Sequence, residues 1–302
     1  MKRVLPLLLA ALATFITLRT DAQGCSDAGF CTLNSFKPNS IDTTTPANQV
    51  RAGVSIGGAD HSISVFGNYV EYDRQFGKRF GLDAKITSLA QTGNDISRFG
   101  ISDIYFNLHG NITDKIKLSV GAKIPLTDGN VLENGQPLPM DYQPSLGTYD
   151  LILGLAYDIR SLQLAAALQQ PLTQNSNTFN SDPYPGDSPL AKFQSTNQFE
   201  RKGDVLLRVS YPIPAGQKFK FTPSALLIYH LGNDLYTDAQ GARKEIDGSS
   251  GLTLNANAYF DYQVNLHNAF QLSLGVPFLV RDTRPDGLTR SFVANLEYRI
   301  RF

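Results

Sequence analysis

The sequence predicts an all-β protein, an antiparallel up-and-down β-barrel of about twelve strands that spans a membrane. Three observations predict it. Segments of about ten residues with alternating apolar and polar side chains recur from residue 49 to residue 302. The connections between them alternate between short and long. Charged residues gather on one parity of the segments and are almost missing from the other. Side chains alternate across a strand with period two, so one parity makes an apolar face and the other a charged one. A Lys or Arg at mid-membrane on a lipid face would cost ~2–4 kcal/mol, which gives the asymmetry its physical cause. A soluble β-sandwich or lipocalin-type barrel is the competing architecture.

Residues 1–22 read as a secretory signal peptide, with Lys2 and Arg3, an apolar run from Val4 to Leu18, and a cleavage site at Thr20-Asp21-Ala22. The run falls short of the ~20 residues a spanning helix needs, and no later stretch reaches that length. Residues 23–48 follow as an irregular segment that starts with Cys25 and Cys31, the only cysteines, and continues rich in Asn, Ser, Thr and Pro. In an oxidising compartment the two cysteines most simply close a small disulfide loop. Lipidation of Cys25 is a second reading, against a poor lipobox at Ala22-Gln23-Gly24. A metal or redox pair is a third, against a spacing wider than the usual two intervening residues. The segment is long enough to enter the barrel as a plug. Residues 49–302 form the barrel.

The chain carries 27 basic and 27 acidic residues. Without Lys2, Arg3, Arg19 and Asp21 the balance is 24 to 26. No clustered basic face is present, so nucleic acid is not an expected partner. Trp is absent, while 13 Tyr and 18 Phe suffice for interfacial girdles.

In chain order, Val50, Ala52, Val54 and Ile56 form the first apolar face. The second segment, near residues 62–72, leaves its parity open because either face contains a polar residue. Phe80, Leu82, Ala84 and Ile86 mark the third, and Ile104, Phe106 and Leu108 the fourth. Ile116, Leu118, Val120, Ala122 and Ile124 make the fifth. The sixth, Tyr149 to Tyr157, places a tyrosine at each end, where girdles belong. Leu162, Leu164, Ala166 and Leu168 form the seventh, and Val205, Leu207, Val209 and Tyr211 the eighth. The ninth, near residues 218–230, is less regular because Pro223 interrupts it. Leu252, Leu254, Ala256, Ala258, Phe260 and Tyr262 form the tenth, and Phe270, Leu272, Leu274, Val276 and Phe278 the eleventh. The twelfth sets Phe292, Ala294, Leu296, Tyr298, Ile300 and Phe302 against Asn295, Glu297, Arg299 and Arg301.

Short connections fall near residues 75–78, 111–114, 158–161, 214–217 and 265–268. Long ones fall near 90–98, 127–146, 172–203, 232–249 and 281–287, with a tight link at 57–61. An even strand count returns the C-terminus to the side of the short turns.

The stretches Gly100-Ile101-Ser102-Asp103-Ile104-Tyr105-Phe106, Gly147 to Tyr157 and Gly203-Asp204-Val205-Leu206-Leu207 resemble the outer-membrane transporter barrels associated with phenol degradation. Those barrels are loosely related to fatty-acid and aromatic-hydrocarbon channels. The strand ending at Phe302 resembles the closing strand of Gram-negative outer-membrane barrels. The resemblance implies residence in the outer membrane, with short periplasmic turns and long extracellular loops. It implies passive uptake of a small amphipathic or aromatic solute. The expected partners are that solute, outer-membrane lipid and lipopolysaccharide, and the barrel-assembly machinery that reads the last strand. The barrel is expected to be a monomer without cofactor. A non-transporting structural or adhesive barrel is the alternative function.

The candidates for the inward, lumen-facing side are Asp83, Lys85, Asp103, Tyr105, Lys117, Lys123, Asp150, Asp204, Arg208, Asn255, Asn257, Asp261, Glu297 and Arg299. These residues either knit the lumen shut with ion pairs or line a polar conduit that orients a solute. Outer-membrane lipolytic enzymes need a Ser activated by a His. His61-Ser62-Ile63-Ser64 is the nearest candidate and lacks the flanking pattern of that class, so no catalytic residues are expected. His109, His230 and His267 are scattered, and no pair has metal-ligand spacing. The loop from Thr127 to Gly135 lacks the ligand alternation of a calcium loop and reads as a solvated hairpin loop. Tyr184 and Phe193 read as residues packing their own loop.

Overall fold

The computed structural model describes Lys37 and residues 48–77, 79–287 and 291–302. The predicted signal peptide and the Cys25 and Cys31 pair lie outside the described residues, as does the irregular segment apart from Lys37. Twelve strands form the wall: β1 (Asn48–Gly58), β2 (Ser64–Phe76), β3 (Phe80–Gly93), β4 (Ile96–Asn111), β5 (Ile116–Pro125), β6 (Asp150–Ile159), β7 (Leu162–Pro171), β8 (Asp204–Ser210), β9 (Phe219–His230), β10 (Gly251–Gln263), β11 (Asn268–Leu279) and β12 (Phe292–Arg301). Each pairs antiparallel with its sequence neighbour, and β12 returns to β1 in a register running from Gln49↔Arg301 to Gly58↔Phe292. Closure leaves no strand edge facing lipid, the condition for carrying backbone polar groups across hydrocarbon. The fold is a closed twelve-stranded transmembrane barrel.

The outward face is the apolar parity. Val54, Phe66, Leu153, Leu207, Leu272 and Leu296 all stand 39–56% exposed, values that only a lipid solvent makes reasonable. Aromatic residues ring the periplasmic end, where Phe219 stacks on Tyr262 with centroids 4.7 Å apart and Phe270 lies 4.9 Å from Tyr298. Phe99, Tyr149, Tyr229 and Phe278 mark the opposite rim. The open parity of β2 resolves with Phe66 and Val70 outward and Val65, Glu71 and Asp73 buried inside.

Two sequence expectations change. Residues 90–98 are not a long loop: β3 and β4 continue as a hairpin and turn at Asn94-Asp95, with φ of 52° and 61°. Positive φ at both central residues is the turn whose twist matches a hairpin. The alternation fades there because Ser102 and Asp103 together face Thr87 as a β-bulge, which flips the parity above it. Thr87 Oγ1 caps the bulge, accepting from Asp103 N and donating to Asp103 O, both at 3.2 Å. Pro223, in turn, does not interrupt β9. It pairs with Ala258 on one side, and on the other the neighbouring strand breaks at Tyr211-Pro212, so its missing N–H removes no ladder bond from an intact pair.

The long outer connections fold together into a cap. Residues 132–133 and 136–137 form one small hairpin, and 235–237 with 243–245 a second. Ile63, Val65, Leu138, Tyr142, Phe179 and Phe193 make one buried cluster, and Met140, Leu146, Phe199 and Ile246 another. Phe193 and Tyr184 thus pack within the cap, Tyr184 stacking on Phe179 at 5.8 Å. Gly287, at φ 64°, lies so close to Met140 that a Cβ would meet its carbonyl oxygen at 2.3 Å. Only a glycine fits that crossing of two loops.

Candidate functional site: the barrel lumen

The lumen divides into four levels. At the top, a six-residue ionic cluster joins the cap to the wall. Arg201 reaches Asp204 at 2.5 Å and Asp286 at 3.4 Å, and Arg281 reaches Asp286 at 3.0 Å. His230 sets Nδ1 2.7 Å from Asp204 and Nε2 2.8 Å from Asp234. Burial alone would raise the Asp286 carboxyl, but the Arg281 and Arg201 guanidiniums more than offset it and hold it well below the usual carboxylate range. Arg284 grips Asp60 with two bonds of 2.9 and 2.8 Å, pinning the last outer loop to the turn after β1.

Residues 138–146 dip into the barrel mouth beneath this cluster. Gln91 donates to Gln143 O at 2.8 Å, Tyr142 OH to Gly93 O at 2.9 Å, and Ser145 Oγ to Asp103 at 2.6 Å. Lys123 lies 3.1 Å from Asp150, whose carboxylate also accepts from Gln169 and from Thr148. Asp141, in the same dipping loop, is pushed up to about 8 by burial and then by the neighbouring charges of Asp60 and Asp286.

Below the dipping loop lies a cavity of about 190 Å³. Tyr69, Tyr105, Tyr259, Leu89, Pro144 and Leu146 give it apolar and aromatic walls, and Lys85, Lys123 and Asp103 add charge. Asn257 also lines it; the Asn255 amide is fully buried with neither nitrogen nor oxygen bonded to protein among the described residues. Groups in that position call for water. Lys37 forms part of the cavity floor. Its Nζ lies 2.6 Å from Glu297 and 3.3 Å from the Tyr69 hydroxyl, which itself bonds to Glu297. A smaller cavity of about 60 Å³, also touching Lys37, opens toward the periplasmic turns beside Lys117 and Arg208.

At the lowest level Arg299 bridges Glu297 at 2.5 Å and Asp261 at 3.2 Å, and Arg51 lies 3.7 Å from Glu71. Asp83, Lys85, Asp103, Tyr105, Lys123, Asp150, Asp204, Arg208, Asn255, Asn257, Asp261, Glu297 and Arg299 all sit buried on the inward parity, and Lys117 is half-buried at the mouth. The structure joins Lys123 with Asp150, and Arg299 with Asp261 and Glu297. Asp204 turns instead to Arg201, a residue of the cap. Sequence reasoning missed Lys37, Arg51, Glu71, Asp73, Arg201 and Arg281. Most come from the ambiguous second segment or from long connections, where no periodicity marks an inward side. His61 lies against Phe193 with ring centroids 4.2 Å apart, a packing role within the cap.

No family model and no curated protein matches the sequence. Among solved structures, the chain is similar to the translocator domain of the autotransporter NalP from Neisseria meningitidis, at 11% identity and a TM-score of 0.51, covering 87% of this chain and 91% of that one. It also overlaps the KdgM porin (8% identity, TM-score 0.44, 84% and 99% covered) and the CymD monoaromatic hydrocarbon channel (10%, 0.43, 86% and 89%). Those two likenesses are too loose to bear on what this barrel passes. What the comparison shows is the fold, a closed β-barrel of the outer-membrane kind.

Proposed function

We propose that the protein is an outer-membrane channel for passive uptake of a small amphipathic or aromatic organic solute. The observation that carries this reading is the 190 Å³ cavity midway through the lumen, with tyrosine and leucine walls and charged side chains at its edge. Sites for small organic molecules are concave and mostly apolar, with a few placed polar groups that fix orientation. The lysines suit a carboxylate or phenolate end, and the tyrosines suit an aromatic body. The barrel supplies the shaped passage and no chemistry.

The same reading makes the irregular segment 23–48 a plug, anchored where Lys37 meets Glu297 inside the wall, with the Cys25 and Cys31 bridge keeping it compact. The protein works as a monomer in lipid and lipopolysaccharide, and it reaches the membrane through its signal peptide and the assembly machinery that recognises the strand ending at Phe302. The closed cap favours one rival, a structural barrel that transports nothing. Flux into proteoliposomes separates them. Benzoate should enter faster than a neutral sugar of similar mass, and equal rates would remove the aromatic preference. No flux of either solute would favour the structural barrel.

A further inference from the structure

We propose that the periplasmic mouth of the lumen holds a divalent transition-metal site built by Asp73, Asp83 and His109, with a donor set that fits zinc. The three come from successive strands, β2, β3 and β4, just above their short turns. Asp73 and Asp83 are directly opposed in the β2–β3 ladder, and His109 faces Gly81 in the β3–β4 ladder. Like charges directly opposed on two strands repel, and here both are buried, so a cation between them stabilises the pair.

A protonated imidazole or a metal ion can fill that place, and the ligand spacing fits the metal. His109 Nε2 lies at ion-pair distance, 3.6 Å, from both Asp73 Oδ2 and Asp83 Oδ1, with the Gln75 amide nitrogen 3.4 Å away. All three ligand atoms fall within 4.8 Å of one another. Ligand bonds of ~2.0–2.2 Å at a tetrahedral angle place two donor atoms about 3.4 Å apart, close to this spacing. The carboxylate of Asp83 is built for the role. Its Oδ2 accepts from Asn107 Nδ2 at 3.2 Å, while the fully buried Oδ1 makes no hydrogen bond among the described residues and faces the imidazole. An outer partner that fixes one oxygen and presents the other is the usual support of a metal ligand.

Gly81 completes the geometry. A Cβ there would lie 2.3 Å from His109 Cε1, so the ring reaches the carboxylates only because residue 81 has no side chain. Nitrogen and oxygen donors in a small tetrahedral array select a zinc-like cation over calcium or magnesium, which take six or more oxygens. Three protein ligands account for three of four tetrahedral positions, and the Gln75 amide stands 3.4 Å from both Asp73 and His109.

The test uses the folded full-length protein in detergent, stripped with EDTA and titrated with zinc by calorimetry. One equivalent should bind, and Asn107→Ala should weaken it ~10–100-fold, with His109→Gln and Asp83→Asn weakening it further. Heat-modifiable gel mobility confirms that each variant is still a barrel. X-ray absorption at the zinc edge of the wild-type protein guards against misfolded variants. It should show nitrogen and oxygen at ~2.0–2.2 Å with one imidazole. No saturable binding, binding undiminished in His109→Gln, or a sulfur-ligated spectrum pointing to Cys25 and Cys31 would each overturn the proposal. None of these outcomes depends on whether the barrel conducts.

Discussion

The two ends of the barrel are built on different physics. The extracellular end is closed by loops that carry their own apolar clusters and a buried ionic hub, with Arg201, Arg281 and His230 set against Asp204, Asp234 and Asp286. The periplasmic end has only short turns, and its ion pairs, such as Arg299 with Asp261, belong to the strands of the wall, beside a small cavity. The barrier to a solute therefore lies at the cap. The cap is a folded unit whose disruption costs stability, whereas the exposed turns of the lower mouth form a rim whose alteration costs little.

The largest expected effect is at the hub. Arg201→Ala takes the guanidinium from buried Asp204 and one of two from Asp286, a change that costs ~3–5 kcal/mol for buried pairs. Urea unfolding in lipid should show the loss, and limited proteolysis should cut the loop at residues 172–203 first. The wall ranks next. Leu153→Lys places a charge on the lipid face at mid-strand and should cost ~2–4 kcal/mol in the same unfolding measurement.

A pH effect should also distinguish the ends. The Asp141 carboxyl is raised by burial, then by Asp60 and Asp286, to about 8, so the folded cap prefers it protonated. Its contribution is complete below the ordinary carboxylate value near 3.8 and is lost progressively as pH rises toward 8. The cap should therefore resist protease better at pH 6 than at pH 8.5, and Asp141→Asn should flatten that difference. The smallest effect is expected at the lower rim, where Lys115 is exposed. Lys115→Ala should change stability by less than ~0.5 kcal/mol, and a larger loss would erase the contrast between the two ends.

The same contrast governs what could be read from residues alone. The wall was legible because lipid enforces alternation: Leu153, Leu207, Leu272 and Leu296 face outward as their parity requires. Charges on the opposite parity, such as Lys123 and Asp150, could be placed inside for the same reason. Their partners could not, since contacts like Arg201 with Asp286 join loops far apart in sequence that follow no period. The bulge at Ser102 and Asp103 hid a hairpin by breaking the alternation locally. Asp73 and His109 went unrecognised as neighbours because their meeting depends on strand register and on the missing side chain of Gly81.

Single-channel recording in planar bilayers decides whether the lumen conducts. Discrete conductance steps are expected from the wild-type barrel, and larger steps after deletion of residues 26–45, which removes Lys37 from Glu297. Electrical silence from correctly folded protein in both forms would contradict the channel reading.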